Sequence, residues 1–166
     1  MVLADETKEA FSTFLIAHAV VTRMIDRRLK EAGVVGIEVY DVLLALEDAP
    51  ERRLRMSELA DRLVISRSGI TRLVDRLEKD GLLKRVACPM DRRAMHAALT
   101  DHGLAERERA WPVYRQAIAE LFGQHTGREE AETLRNVMRR IIQQDPEVAA
   151  RCLACGKEGQ AAPTAP

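Results

Sequence analysis

Apolar side chains between Glu6 and Glu31 recur at Phe11, Phe14, Leu15, Val21, Met24, Ile25 and Leu29, with His18 on the same line. Intervals of three and four predict one long amphipathic helix, which Gly33 and Gly36 end. A second helix is expected over Ile37 to Ala49, where Val39, Tyr40, Leu43, Leu44 and Leu46 are spaced alike and Pro50 stops the run. Glu51 to Arg55 reads as a basic loop, Met56 to Leu63 as a short third helix, and Ser66 to Asp80 as a fourth that stops at Gly81. Leu82 to Ala87 then reads as a strand, Cys88 to Arg93 as a polar turn, and Ala94 to Leu99 as a returning, alanine-rich strand. Thr100 or Asp101 caps a fifth helix to about Phe122, which Pro112 is expected to bend or break. After a loop over Gly123 to Gly127, Arg128 to Gln144 carries a last stripe of Ala131, Leu134, Val137, Met138, Ile141 and Ile142. The tail from Gly156 is rich in Gly, Ala and Pro and is expected to lack fixed structure. The order is ααααββαα, a mainly α fold.

The middle of this order has the spacing of a helix-turn-helix: two short helices, MSELADRL and SRSGITRLVDRLEKD, about three residues apart. Small Ala60 lets them cross closely, while Leu59, Leu63, Ile65, Ile70, Leu73, Val74 and Leu77 make a shared core. Ser66 can cap the second helix. That core leaves Arg67, Ser68, Thr71, Arg72, Asp75 and Arg76 facing outward. Arginine grips phosphates or the O6/N7 edge of guanine, and the hydroxyls suit phosphates or bases, so Ser66, Arg67, Ser68, Thr71, Arg72 and Arg76 are the expected DNA contacts. A solvated helix face would look similar, and arginine outnumbers lysine 21 to 5 in the whole chain. The hairpin that follows turns the motif into a winged helix. Its tip, CPMDRR, would bring Arg92 and Arg93 to a minor groove with Asp91 orienting a guanidinium.

Charge supports the same segment once the chain is divided. Its 166 residues hold 26 Lys and Arg against 26 Asp and Glu, a net charge of zero. Residues 1–50 sum to −4, residues 51–96 to +5 and residues 97–166 to −1. A cationic centre between anionic flanks is the asymmetry a polyanion partner calls for. No apolar run can span a bilayer, and Asp5, Glu6 and Glu9 stand where a signal peptide would be basic and then apolar. Three cysteines do not make a disulfide scaffold, so a reducing cytoplasm is expected.

The stretch DRRAMHAALT, Asp91 to Thr100, fits the pattern Asp-x-Arg, five residues, Leu-Thr of the wing in the multiple antibiotic resistance regulator (MarR) family. SRSGITRLVDRLEKDGLLKR, Ser66 to Arg85, resembles that family's recognition helix and first wing strand, and the resemblance extends over about residues 5–145. It implies a homodimeric, DNA-binding transcriptional regulator, usually a repressor released by a small molecule or by oxidation, acting on a pseudo-palindromic operator. It assigns residues 1–36 to an N-terminal dimerisation helix, 37–100 to the winged helix-turn-helix, 101–145 to C-terminal dimerisation helices and 146–166 to a tail. The apolar stripes at both ends agree, since they exceed what a small winged helix needs to cover itself.

Effectors in this family bind where the dimerisation helices meet the winged domain, which makes His18, Tyr40, Trp111 and Arg115 candidates. Tyr40 and Trp111 are equally what a core would take. Family members that sense peroxide carry a cysteine in the first helix, and this chain has none before Cys88. Oxidised Cys88 would disturb the wing, while Cys152 and Cys155 form one CxxC, two ligands where zinc wants four. Two tails in a dimer could complete such a set or form disulfides, but the expectation is no metal and no cofactor. His102 and Glu106 share a helix face, a spacing that also fits a plain surface contact. Two other classes compete: a winged-helix protein-interaction module, which would place acidic or apolar groups on the outward face, and an enzyme, for which no Gly-rich phosphate loop or catalytic grouping is present.

Overall fold

A computed structural model describes residues 3–88, 91–146, 148 and 149, with the backbone alone at 88 and 91–94. The described residues form six α-helices, α1 (Asp5–Glu31), α2 (Ile37–Glu47), α3 (Met56–Arg62), α4 (Arg67–Lys79), α5 (Asp101–Leu121) and α6 (Arg128–Ile142), and a small sheet of β1 (Arg53–Arg55), β2 (Leu83–Cys88) and β3 (Asp91–Leu99). The helix ends follow local chemistry. Asp5 and Glu6 open α1 and Arg28 and Lys30 close it, as the helix dipole favours, and Gly33 leaves it with φ +66°. The Oγ atoms of Ser66 and Thr100 accept from the amides of Gly69 and Gly103, at 3.1 and 3.0 Å, and cap α4 and α5.

The buried side chains form two clusters. One lies under the winged head, where Leu43 and Leu46 from α2 meet Leu59 of α3, Leu77 of α4, Leu83 of β2 and Ala97 of β3. The other joins Ile25 and Leu29 of α1, Tyr40 of α2, and Ala110 and Ala117 of α5, whose small side chains allow close approach. Ion pairs tie α5 to both neighbours: Arg28 to Glu120 at 2.6 Å, and Arg107 to Glu47.

The order of elements departs from expectation at one place. Residues 53–55 are not loop but a third strand, and the sheet order is β1-β3-β2, all antiparallel, with Arg53 opposite Ala98 and Arg55 opposite His96. Three residues give only a single alternation, Arg-Leu-Arg, in which Leu54 packs against the head core. The chain reaches this strand through left-handed Glu51 and Arg52, φ 53° and 51°, where no glycine marks a turn. The second wing strand also starts earlier than its alanines imply, at Asp91. Pro112 does not break α5, which runs on to Leu121. The proline takes away the amide that would bond the Glu108 carbonyl, but both residues are exposed, so water can satisfy that carbonyl. The other helix ends fall within two residues of their expected positions.

Asp41 is a covered carboxyl without a partner among the described residues, and the buried Glu47 Oε2, His96 Nδ1 and Arg107 Nε atoms also lack one. It is largely covered and has no hydrogen bond or ion pair among the described residues, and burial pushes its carboxyl up to about 6. Between the unfolded value near 4 and this folded value the native state holds the extra proton. Stability is therefore full at the acid end of that window and is lost as pH rises through 6. Asp41→Asn is expected to stabilise the chain at pH 7 by up to about 3 kcal/mol. Melting curves from pH 4 to 8 check this: the gap between variant and wild type should open across the window and vanish near pH 4.

Candidate nucleic-acid interface

The recognition element is built from the turn outward. Between α3 and α4 the Ile65 amide reaches the Ala60 carbonyl at 2.9 Å and the Val64 amide that of Asp61 at 3.2 Å. Val64 holds φ 54°, a conformation that strains a β-branched residue. A Cβ on Gly69 would stand 2.8 Å from Cγ2 of Ile65, so the bare backbone there lets the first turn of α4 settle on the end of the turn. Ile70, Leu73, Val74 and Leu77 are buried, and the outward positions Arg67, Ser68, Thr71, Arg72, Asp75 and Arg76 are all exposed, the division expected from the spacing.

The exposed charges are not equivalent. Arg76 reaches across to Glu38 of α2 at 2.8 Å. Asp75 is held by Arg85 of β2 at 2.7 Å, and the same guanidinium binds Glu78 at 2.6 Å. Burial alone would lower the Arg85 guanidinium, yet its pairing with Asp75 and Glu78 holds it above the ordinary arginine range. The Arg85 amide, which donates to Glu78 at 2.8 Å, outweighs burial and with the guanidinium draws that carboxyl below its usual range. The clamp turns both carboxylates of α4's C-terminal half toward the wing strand. No acidic side chain pairs with Arg67 or Arg72 among the described residues, so these two arginines keep their charge for a ligand. Thr71 donates to the Arg67 carbonyl at 2.8 Å, and the hydroxyls of Ser66 and Ser68 lie 3.3 Å apart at the start of the helix.

The wing strands return across Thr100, which joins the reading head to α5. Its Oγ lies 2.7 and 2.9 Å from the carbonyls of Gly81 and Leu82 and shares its one proton between them. The side chains of Asp91, Arg92, Arg93 and Cys88, like Cys152 and Cys155, lie outside the described residues.

The suggested effector residues do not form one group. Tyr40 is buried with its ring 4.6 Å from that of Tyr114, and Trp111 stands half-exposed 6.3 Å from the same ring. Arg115 is exposed on α5. His18 is apart from all three, beside Phe14 in a cleft between α1 and α6. Burial first, then the nearby Asp41 and Tyr40, push the Tyr114 phenol up to about 12. Glu106 pairs with Arg109 at 2.7 Å, and among the described residues His102 makes no hydrogen bond or ion pair with it. Among the described residues no group of three or more His, Cys, Asp or Glu could hold a metal ion, and no helix is long and apolar enough to cross a membrane.

Sequence reasoning missed Arg85 as an organiser of the helix face, because its partners Asp75 and Glu78 lie across the turn at Gly81. It also passed over Arg55 and Ser57, whose place beside α4 depends on β1.

The sequence profile of the MarR family matches residues 33–94, from the turn before α2 into the wing. The MarR family transcriptional regulator Sco3205 from Streptomyces coelicolor, solved in complex with DNA, superposes with a TM-score of 0.81 at 30% identity, over 87% of this chain and 90% of that one. The chain belongs to the MarR family. Members are DNA-binding transcriptional regulators, not enzymes, and the mainly α winged-helix fold is theirs. The HTH-type transcriptional regulator PrsX of Escherichia coli is 36% identical over 110 residues, 65% of this chain and 66% of that protein, just under two thirds of its length. The transcriptional repressor MprA of Escherichia coli K12 is 27% identical over 123 residues, 73% of this chain and 69% of that protein.

Proposed function

We propose that this chain is a cytoplasmic, homodimeric repressor that holds a pseudo-palindromic DNA operator and releases it when a small molecule binds or a thiol is oxidised. The observation that carries DNA binding is the outward face of α4, where Arg67 and Arg72 stand exposed without carboxylate partners among the described residues while Asp75 is tied off by Arg85. In this reading Arg67, Ser68, Thr71, Arg72 and Arg76, with the cap Ser66, meet the major groove, and Asp91, Arg92 and Arg93 serve the wing in the minor groove. Sco3205, seen with DNA, supports the partner, and MprA, a named repressor, supports the sign.

The dimer is supported by α1 and α6, which leave between them an apolar cleft of about 1290 Å³ lined by Phe14, Val21, Leu134, Val137 and Met138. A second chain of the same sequence supplies matching apolar stripes. Tyr40 and Trp111, at the junction of α2 and α5, remain the proposed wall for a phenolic-type ligand, with Arg115 and His18 as outlying members. Cys88, Cys152 and Cys155 remain the proposed oxidation sites.

Selection of duplexes from a randomised pool by the protein, then mobility shift on the selected sequence, tests the reading. Arg72→Ala and Arg93→Ala are each expected to weaken binding by roughly 1–3 kcal/mol while mass and melting stay those of the wild type. Unchanged affinity in both variants would remove these residues from the interface.

A further inference from the structure

A hollow of about 280 Å³ opens between the start of α3, the start of α4 and the middle of β3. Arg55, Ser57, Arg67 and Thr71 line it, with Ile70 and Met95 giving an apolar floor. Arg55 and Arg67 are both exposed, and neither has an acidic partner among the described residues. The nearest carboxylate on α3, Glu58, is turned back onto the Arg55 amide at 2.9 Å and does not line the hollow. The Ser57 hydroxyl has no hydrogen-bond partner among the described residues. Two guanidinium-bearing side chains and the unengaged Ser57 hydroxyl thus line one concave spot, beside a Thr71 hydroxyl already given to the Arg67 carbonyl, and its chemistry is that of an anion seat.

We infer that this hollow seats a phosphate of the DNA backbone where the strand passes from the recognition helix to the wing, with Arg55 and Ser57 as contacts additional to those of α4. The inference rests on the DNA-binding reading above. A phosphate diester offers two charged oxygens to paired arginines, while its sugars can lie along Met95, which is 39% exposed on the wing strand. A base edge offers no charge to justify two cations without a counter-ion, so the seat fixes register and carries no sequence preference of its own. The strand β1 is what places Arg55 here: its register opposite His96 sets the arginine at the mouth of α3, beside Arg67.

Fluorescence anisotropy with two labelled duplexes of equal length tests this, one of the sequence selected by the wild-type protein and one unrelated. Arg55→Gln is expected to weaken both by the same factor, roughly tenfold. It should also flatten the slope of log affinity against log salt by about one unit per half-site. Arg55→Lys should keep the slope. Ser57→Asp puts a negative charge into the hollow at a helix position that favours one, so its loss of binding to both duplexes reports on DNA and not on folding. Arg72→Ala runs in parallel. Should Arg72→Ala lose binding while Arg55→Gln and Ser57→Asp keep wild-type affinity and slope, the seat is overturned and the DNA-binding reading stands. Loss confined to the selected duplex, with the slope intact, would overturn the phosphate assignment in favour of base reading. Wild-type affinity in all of these variants would remove both the hollow and Arg72 from the interface, while absence of binding by the wild-type protein to any duplex would overturn the DNA-binding reading itself.

Discussion

Gly103→Ala is expected to lower the melting temperature by roughly 10 °C or more, an unusual result for the addition of one methyl group. A Cβ at this position would stand 2.0 Å from the carbonyl oxygen of Leu82, 2.9 Å from its carbon and 2.9 Å from Cδ1 of Leu99. A leucine side chain could rotate away, but the Leu82 carbonyl cannot, because the Thr100 amide and hydroxyl hold it at 3.3 and 2.9 Å. The first turn of α5 must lift instead, and the Thr100 cap on the Gly103 amide goes with it. Overpacking of this kind costs about 1–3 kcal/mol and a lost cap about 1 kcal/mol more. That is a large share of the roughly 5–15 kcal/mol that holds a domain of this size. Gly123→Ala, whose nearest neighbour would be 3.8 Å away, is the matched control and should melt within a few degrees of wild type. Circular dichroism melts of both decide it. A Gly103→Ala protein that melts with the control would show that the contact at Leu82 yields easily. The contact also joins the end of the wing to the helix that runs toward the second core cluster, beside the Arg107–Glu47 ion pair.

How far the amino-acid pattern foretells such features depends on whether their cause lies inside one element. The faces of α4 could be assigned from Ile70, Leu73, Val74 and Leu77 alone, since a helix repeats its burial with its own period. The caps Ser66 and Thr100 were equally legible, because each bonds an amide three residues on. β1 was not, for Arg53–Arg55 becomes a strand only when β3 offers its second edge. Continuation through Pro112 depended on exposure of the Glu108 carbonyl, a tertiary property. The candidate site divides the same way. The cations of α4 were visible as a face, but the neutralisation of Asp75 by Arg85 and the convergence of Arg55 on Arg67 arise from packing between elements. The aromatic group was named in part only: Tyr40 and Trp111 meet through Tyr114, while His18 belongs to a different surface.

If the proposed homodimer closes over the α1–α6 cleft, placing a charge there is expected to convert it to single chains and to remove nearly all operator affinity. In one chain Phe11, Phe14, Leu15 and Ile16 are exposed along α1, and Ile141 on α6, although Phe11, Phe14, Leu15 and Ile141 belong to the apolar stripes of their helices. No residue of α6 is fully buried in the single chain, so this helix draws little from tertiary packing unless another surface covers its stripe. Soluble proteins do not leave so continuous an apolar strip uncovered, and a second copy presents the complementary one. Phe14→Glu with Met138→Glu puts a carboxylate on both walls of the cleft. Light scattering should then give the mass of one chain, and circular dichroism should lose part of its helical signal as α6 frays. Two recognition helices held on one rigid body bind two half-sites as one event, and separating them forfeits about 10²–10⁴ in affinity. Binding at low salt to an unrelated duplex, which depends on each head alone, should fall far less. The head itself, with its own core of Leu43, Leu59, Leu77 and Leu83, should keep its cooperative melt. Retention of the two-chain mass by the double variant would place the dimer contact elsewhere, and retention of full affinity by a single chain would mean that one head suffices.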